Sequence, residues 1–210
     1  RTLSLGYVKI FKLKVDNASI PRWRVLPNGD TVIVYVTDAG DNRNDGSFKR
    51  LETWQVKFQK ERFGRPQKLF DGAYHDGISG DERLAVTGAR LLRAKVAQGT
   101  STLESKASDT VWYNGEQACN VSLATDGSKK TLFLDFSGET GRKFVGESYG
   151  VHERILVMDS TGKLISSIKA PLGYSFDHTE WVRGRSDYAV ATLTEASGMH
   201  RKIVLVNMQD

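Results

Sequence analysis

The sequence predicts an all-β chain: a small β-propeller of four blades, or five, each four-stranded, occupying residues 1–210 as a single domain. Three observations carry that expectation. Short β-branched and aromatic runs recur along the chain with turn residues between them. Strong helix starts are absent. Four segments superpose as a repeat, at a spacing that suits propeller blades.

Taken in order, residues 7–15 (YVKIFKLKV) alternate apolar with charged side chains, as a strand with one wet face does. Thr31–Val36 (TVIVYV) has almost no polar interruption, which fits a strand buried on both faces. Residues 132–136, 155–158, 188–193 and 203–206 read the same way. Turn residues separate these runs: Pro27-Asn28-Gly29-Asp30, Asp126-Gly127-Ser128 and Ser160-Thr161-Gly162-Lys163. Residues 88–96 (GARLLRAKV) admit a short helix, but an exposed strand fits their neighbours better.

The repeat consists of a polar or aromatic stretch, a turn and a β run. Its copies are residues 21–29, 74–82, 119–127 and 177–182. Anchored on Arg22, His75, Asn120 and His178, the spacings are 53, 45 and 58 residues, against about 40–50 for a blade without loop insertions. A second strand follows in each unit: residues 52–58, 90–96, 153–158 and 201–206. An outer strand closes the first three at 67–70, 110–113 and 164–168. The fourth unit stops short of one, so residues 7–15 are expected to supply it and close the ring, removing exposed sheet edges. A fifth blade follows if that segment belongs to a further unit. An open β-sandwich would use many of the same strands, but it leaves the repeat unexplained.

The phrase "Trp or apolar, turn, Asn/Asp-Gly, β run" stands here as Trp23…Asn28-Gly29 and Leu123…Asp126-Gly127. It resembles the WD-type repeat of TolB-like propellers. The other copies depart from it: Gly80-Asp81-Glu82 lacks the final Gly, and Arg183-Gly184-Arg185 lacks the Asp. The chain also resembles propeller segments of large bacterial surface and periplasmic lipoproteins. The resemblance implies a non-catalytic binding or scaffolding module of an exported protein, extracellular or periplasmic. Its ligand would be a protein, a peptide or a polysaccharide at the channel mouth, and no catalytic residue carries over. The opening at Arg1, without Met or an apolar stretch, is expected to mark a piece of that longer protein.

Composition narrows the partners. The net charge of +5 is scattered rather than gathered into a tract, which argues against nucleic acid. No apolar run approaches the roughly 18 residues of a membrane span. The lone Cys119 excludes an internal disulfide and a multi-cysteine zinc site. A monomer without cofactor or metal is expected.

The candidate site is positional. Arg22, His75, Asn120 and His178 occupy equivalent slots before the innermost strands, which a propeller gathers around its channel. Asp76, Asp177 and Glu180 add charge there, and Trp23 and Trp181 add stacking surface. The alternative function is a propeller glycoside hydrolase, which needs an acid–base carboxylate pair roughly 5–10 Å apart. Asp76, Asp135, Asp177 and Glu180 are the groups available. A third alternative is a passive spacer. Two other motifs are weak. Gly146-Glu147-Ser148-Tyr149-Gly150 matches a nucleophile elbow, but the chain after it reads as a strand where a helix is required. Asp41, Asp45, Gly46 and Glu52 sit at the first, fifth, sixth and twelfth positions of a calcium loop, but Arg43 takes the third. A hairpin loop explains them better.

Overall fold

The computed structural model describes residues 10–209. Its strands are β1 Ser19–Val25, β2 Thr31–Val36, β3 Glu52–Gln59, β4 Arg62–Phe63, β5 Gln67–Asp71, β6 Leu84–Thr87, β7 Arg90–Leu91, β8 Arg93–Ala97 and β9 Ala107–Val111, followed by β10 Gln117–Leu123, β11 Thr131–Asp135, β12 Arg154–Met158, β13 Leu164–Lys169, β14 Tyr174–Val182, β15 Arg185–Glu195 and β16 His200–Asn207. Two short α-helices, α1 Asp45–Phe48 and α2 Glu139–Val145, and a 3-10 turn at Tyr113–Gly115 interrupt them. The strands form four small antiparallel sheets arranged as a four-bladed β-propeller.

Each sheet is a meander from the inside outward. The first runs β1-β2-β3-β5, with β4 folded back on β3. The second runs β6-β8-β9, the third β10-β11-β12-β13, and the fourth β14-β15-β16. Strand β7 leaves the second unit and pairs with the inner strand β10 of the third, so adjacent blades interlock.

With β4 and β7 counted in, the first and third sheets have five strands, and the other two fall short of four. Where an inner strand was expected, the second has the isolated bridge Ile78–Ala85, flanked by backbone bonds that join Asp76, Gly77 and Ser79 to Val86 and Leu84. The φ of Gly77, +144°, is open to glycine, and a Cβ there would meet the Leu123 side chain at 2.5 Å. The backbone there presses closely on the next blade. The fourth sheet has three described strands. Residues 10–15 of the expected closing segment form no strand, and they lie with Phe11 against Phe58 of the first sheet, ring centroids 5.4 Å apart. Tyr7, Val8 and Lys9 lie outside the described residues.

Three buried clusters join the blades. Val36, Phe48 and Phe70 of the first unit meet Tyr74, Ala85 and Ala97 of the second. Val86, Leu92 and Trp112 meet Val121, Phe133 and Leu156 of the third. Leu132, Leu134 and Ile155 meet Phe176, Trp181 and Ala191 of the fourth. Phe133 is fully buried, with Tyr113 edge-on at 4.8 Å between ring centroids. Truncating such a side chain typically costs about 3–5 kcal/mol. Between the fourth and first sheets no such cluster occurs among the described residues. Arg22 and Glu180 meet there.

The weak motifs resolve into ordinary structure. The Asp41–Glu52 stretch contains the single-turn helix α1, whose Asn44 side chain accepts from the Ser47 N–H at 2.9 Å. Asp45 pairs with Lys49 and with Arg93. Gly146 caps the C-terminus of α2 with φ +80°, so a helix precedes the Gly-x-Ser-x-Gly segment and strand β12 follows it. That order is the reverse of a nucleophile elbow.

Candidate binding cavity and rim cluster

The inner strands share a local device. Each of β1, β10 and β14 carries a register break, at Ser19/Arg22, Cys119/Ser122 and Asp177/Glu180. Within each break one non-glycine residue takes a left-handed conformation: Ile20 at φ +46°, Asn120 at +49° and His178 at +48°. A bulge of this kind re-aims the side chains beyond it. Two residues past it stand Arg22, Ser122 and Glu180. Turn-based superposition set Arg22 beside Asn120 and His178; measured from the bulge, Arg22 corresponds to Ser122 and Glu180 instead.

Those three residues meet. Arg22 pairs with Glu180 through Nη1 and reaches Asp76 Oδ1 through Nη2 at 3.3 Å. Ser122 Oγ donates to Glu180 Oε2 at 2.9 Å. Asp76 is buried, and its Oδ2 accepts from the Gly88 N–H at 2.7 Å. Its Oδ1 lies 3.0 Å from His75 Nδ1. His75 is 8 % exposed, and its Nε2 is buried without a hydrogen-bond partner. Native proteins seldom leave such an atom unmatched.

This network lines a cavity of about 440 Å³ among the blades. Of the nine side chains expected at the channel, six border it: Arg22, Trp23, His75, Asp76, Glu180 and Trp181. Trp23 is 65 % exposed and available for stacking. Trp181 is fixed, its indole N–H donating to the Lys130 carbonyl at 3.1 Å. Tyr74, Ser122 and Arg183 also border the cavity and were not expected.

The remaining three, Asn120, Asp177 and His178, lie in a separate rim cluster with His200. Asn120 Nδ2 donates to Asp177 Oδ1 at 2.6 Å. Asp177 Oδ2 lies 2.9 Å from His200 Nε2 and 3.5 Å from His178 Nε2. Burial raises the Asp177 pKa, but the bonds from His200, the His178 N–H and Asn120 outweigh it and hold the carboxyl below 3.8. His200 enters across the β14-β15-β16 meander, 23 residues away in sequence. No local motif signals it, because the cluster exists only once β16 has paired.

Deeper in, Cys119 Sγ lies 3.2 Å from His152 Nε2. Burial, with the charges of Asp177, Asp76 and Asp135 behind it, pushes the thiol up to about 12. Burial likewise lowers His152 below 6.5 against the pull of Asp177 and Asp135. Neither group is set up as a nucleophile or a charged base.

No family model and no curated protein matches the chain. Among solved structures it is similar to a puromycin-hydrolysing peptidase from Mycobacterium tuberculosis, with 12 % identity and a TM-score of 0.48 over 98 % of this chain and 29 % of that one. It is also similar to the Pan2 WD40 domain from Neurospora crassa, with 11 % identity and a TM-score of 0.39 over 90 % of this chain and 49 % of that one. The chain spans less than half the length of either. The likeness concerns the fold.

Proposed function

We propose that this chain is a non-catalytic binding module of the TolB-like type, working within an exported protein. Its ligand is a peptide segment or a polysaccharide seated in the central cavity. The observation that carries the reading is the clamp of Arg22 on Asp76 and Glu180 at the cavity wall. A glycosidase needs one carboxyl held protonated beside a second that is free to act. Here Arg22 engages both carboxylates at once, and Ser122 holds the second oxygen of Glu180, so neither carboxylate stands free. This leaves a polar wall suited to hydrogen bonding. Trp23 supplies an exposed stacking face, and His75 borders the same cavity.

The test is binding, with hydrolysis as a control. Affinity electrophoresis against plant and bacterial polysaccharides, and a peptide array, are run on wild type and on a Trp23→Ala/His75→Ala double variant. Retention of a ligand that the double variant loses upholds the cavity as the site. Equal retention by both proteins places the ligand elsewhere and ends this reading. So does turnover of a bound glycan, which would make the chain an enzyme. Absence of any ligand from either panel leaves a passive spacer.

A further inference from the structure

The rim cluster is not part of the central cavity. It contains two imidazole nitrogens and a carboxylate oxygen, all within 4.8 Å of one another. Imidazole and carboxylate are first-row metal ligands, and two histidines with one acid leave open coordination positions on the ion.

The spacing can be compared with a coordination polyhedron. Zinc bonds of about 2.0–2.1 Å in a tetrahedron place neighbouring donors roughly 3.3 Å apart. The Asp177 Oδ2 distances, 2.9 Å to His200 Nε2 and 3.5 Å to His178 Nε2, lie on either side of that edge. The two rings face each other at 5.3 Å between centroids with a 39° tilt, leaving room between the nitrogens.

The cluster also has outer support. Asn120 Nδ2 and the His178 N–H both bond Asp177 Oδ1, which turns Oδ2 toward the imidazoles. A ligating carboxylate held through its second oxygen is the usual outer arrangement of metal sites. His178 is brought round by the β14 bulge, and His200 by the pairing of β16 with β15. Without an ion, both imidazoles compete for one carboxylate oxygen.

We propose that Asp177, His178 and His200 form a binding site for one divalent transition ion, zinc foremost. Asp177 binds through Oδ2 and both histidines through Nε2, with the remaining position open to water or to an outside donor. Both histidines are well exposed, so the ion enters without any opening of the fold.

The test uses the whole chain, free of any histidine tag and stripped with a chelator. Zinc chloride is titrated calorimetrically into wild type, His178→Ala, His200→Ala and the control His152→Gln. One ion per chain is expected in wild type. Affinity should fall at least tenfold in His178→Ala and in His200→Ala, and stay within twofold in the control. Thermal unfolding without metal should shift by no more than about 4 °C in either alanine variant, because each loses only one surface pairing with Asp177. Cobalt(II) gives a second readout, a visible absorption band of low-coordinate type that neither alanine variant shows. A wild-type stoichiometry near zero, or equal affinity in all four proteins, overturns the proposal. Loss of polysaccharide or peptide binding in the cavity would leave it standing, since the two sites share no side chain.

Discussion

Asp135 ties the third blade together, and removing its carboxylate gives a stability change that can be worked out. The residue is fully buried at the end of β11. Its Oδ2 accepts from the Tyr113 hydroxyl at 2.7 Å, the Tyr149 hydroxyl at 2.9 Å and the Gly138 N–H at 3.0 Å. Burial, with the carboxylate beside them, raises both tyrosines above the ordinary phenol range. They therefore remain donors at every working pH. Gly141 lies against both hydroxyls: a Cβ there would stand 2.0 Å from that of Tyr149 and 2.4 Å from that of Tyr113. Asp135→Ala leaves two hydroxyls and one amide without an acceptor. Each costs about 1–3 kcal/mol, and partial rehydration of the outer groups brings the total to about 3–5 kcal/mol. For a chain of this length the melting temperature should fall by roughly 10 °C. The assay is urea unfolding followed by tryptophan fluorescence, with an unchanged m-value as the condition for comparison. The triple variant Asp135→Ala/Tyr113→Phe/Tyr149→Phe should recover at least about 1.5 kcal/mol relative to the single, because no buried hydroxyl is then stranded. A single-variant loss below about 1 kcal/mol, or no recovery in the triple, would refute the argument that an unmet acceptor sets the cost.

Two further predictions concern the buried pair behind the rim. His152 is held below its ordinary 6.5 by burial, so the folded chain resists protonation that the unfolded chain accepts. Its contribution is complete above pH 6.5 and is lost as pH falls from there through the lower folded value. His152→Gln should flatten that limb of the stability curve. The carboxylates are lost separately, below about 3.8, where Asp126 and Asp177 protonate in the unfolded chain. An identical wild-type and variant slope between pH 6.5 and 4.5 would count against this assignment. Cys119, pushed up to about 12, should react with Ellman's reagent at pH 8 about a thousandfold more slowly in the native chain than in urea. Native labelling at the unfolded rate would show the thiol to be open.

Much of the fold was legible because blade strands carry strong local signals. The run at Thr31–Val36 is strand β2 to the residue. The apolar runs at 155–158 and 203–206 lie within β12 and β16. Helix α2 was missed for a physical reason. It begins at Gly138 without a capping side chain of its own. Its cap comes from Glu116, which accepts from Thr140 N at 3.0 Å and from Thr140 Oγ1 at 2.6 Å. A cap supplied from 24 residues upstream leaves no trace in the local sequence. The candidate site was legible by residue type but not by grouping. Repeat alignment cannot see a bulge, so it merged Arg22 with Asn120 and His178. The bulge instead sends Arg22 and Glu180 into the cavity and leaves Asn120 and His178 at the rim. His200 carried no signal at all before strand pairing.

The junction between the fourth and first sheets has a mechanical consequence. Three junctions of the ring are oily, and they loosen on cooling, as apolar contacts do. At the fourth, among the described residues, a clasp is made by Arg22, 34 % exposed, and Glu180, 48 % exposed. A wet ion pair of this sort holds by no more than about 1 kcal/mol and is screened by salt. Among the described residues this clasp is the most weakly held of the four junctions, and both of its jaws are cavity walls. Unfastening it would widen the central chamber along a slit without disturbing any core. A chain-like guest could then be laid in sideways and need not be threaded from an end.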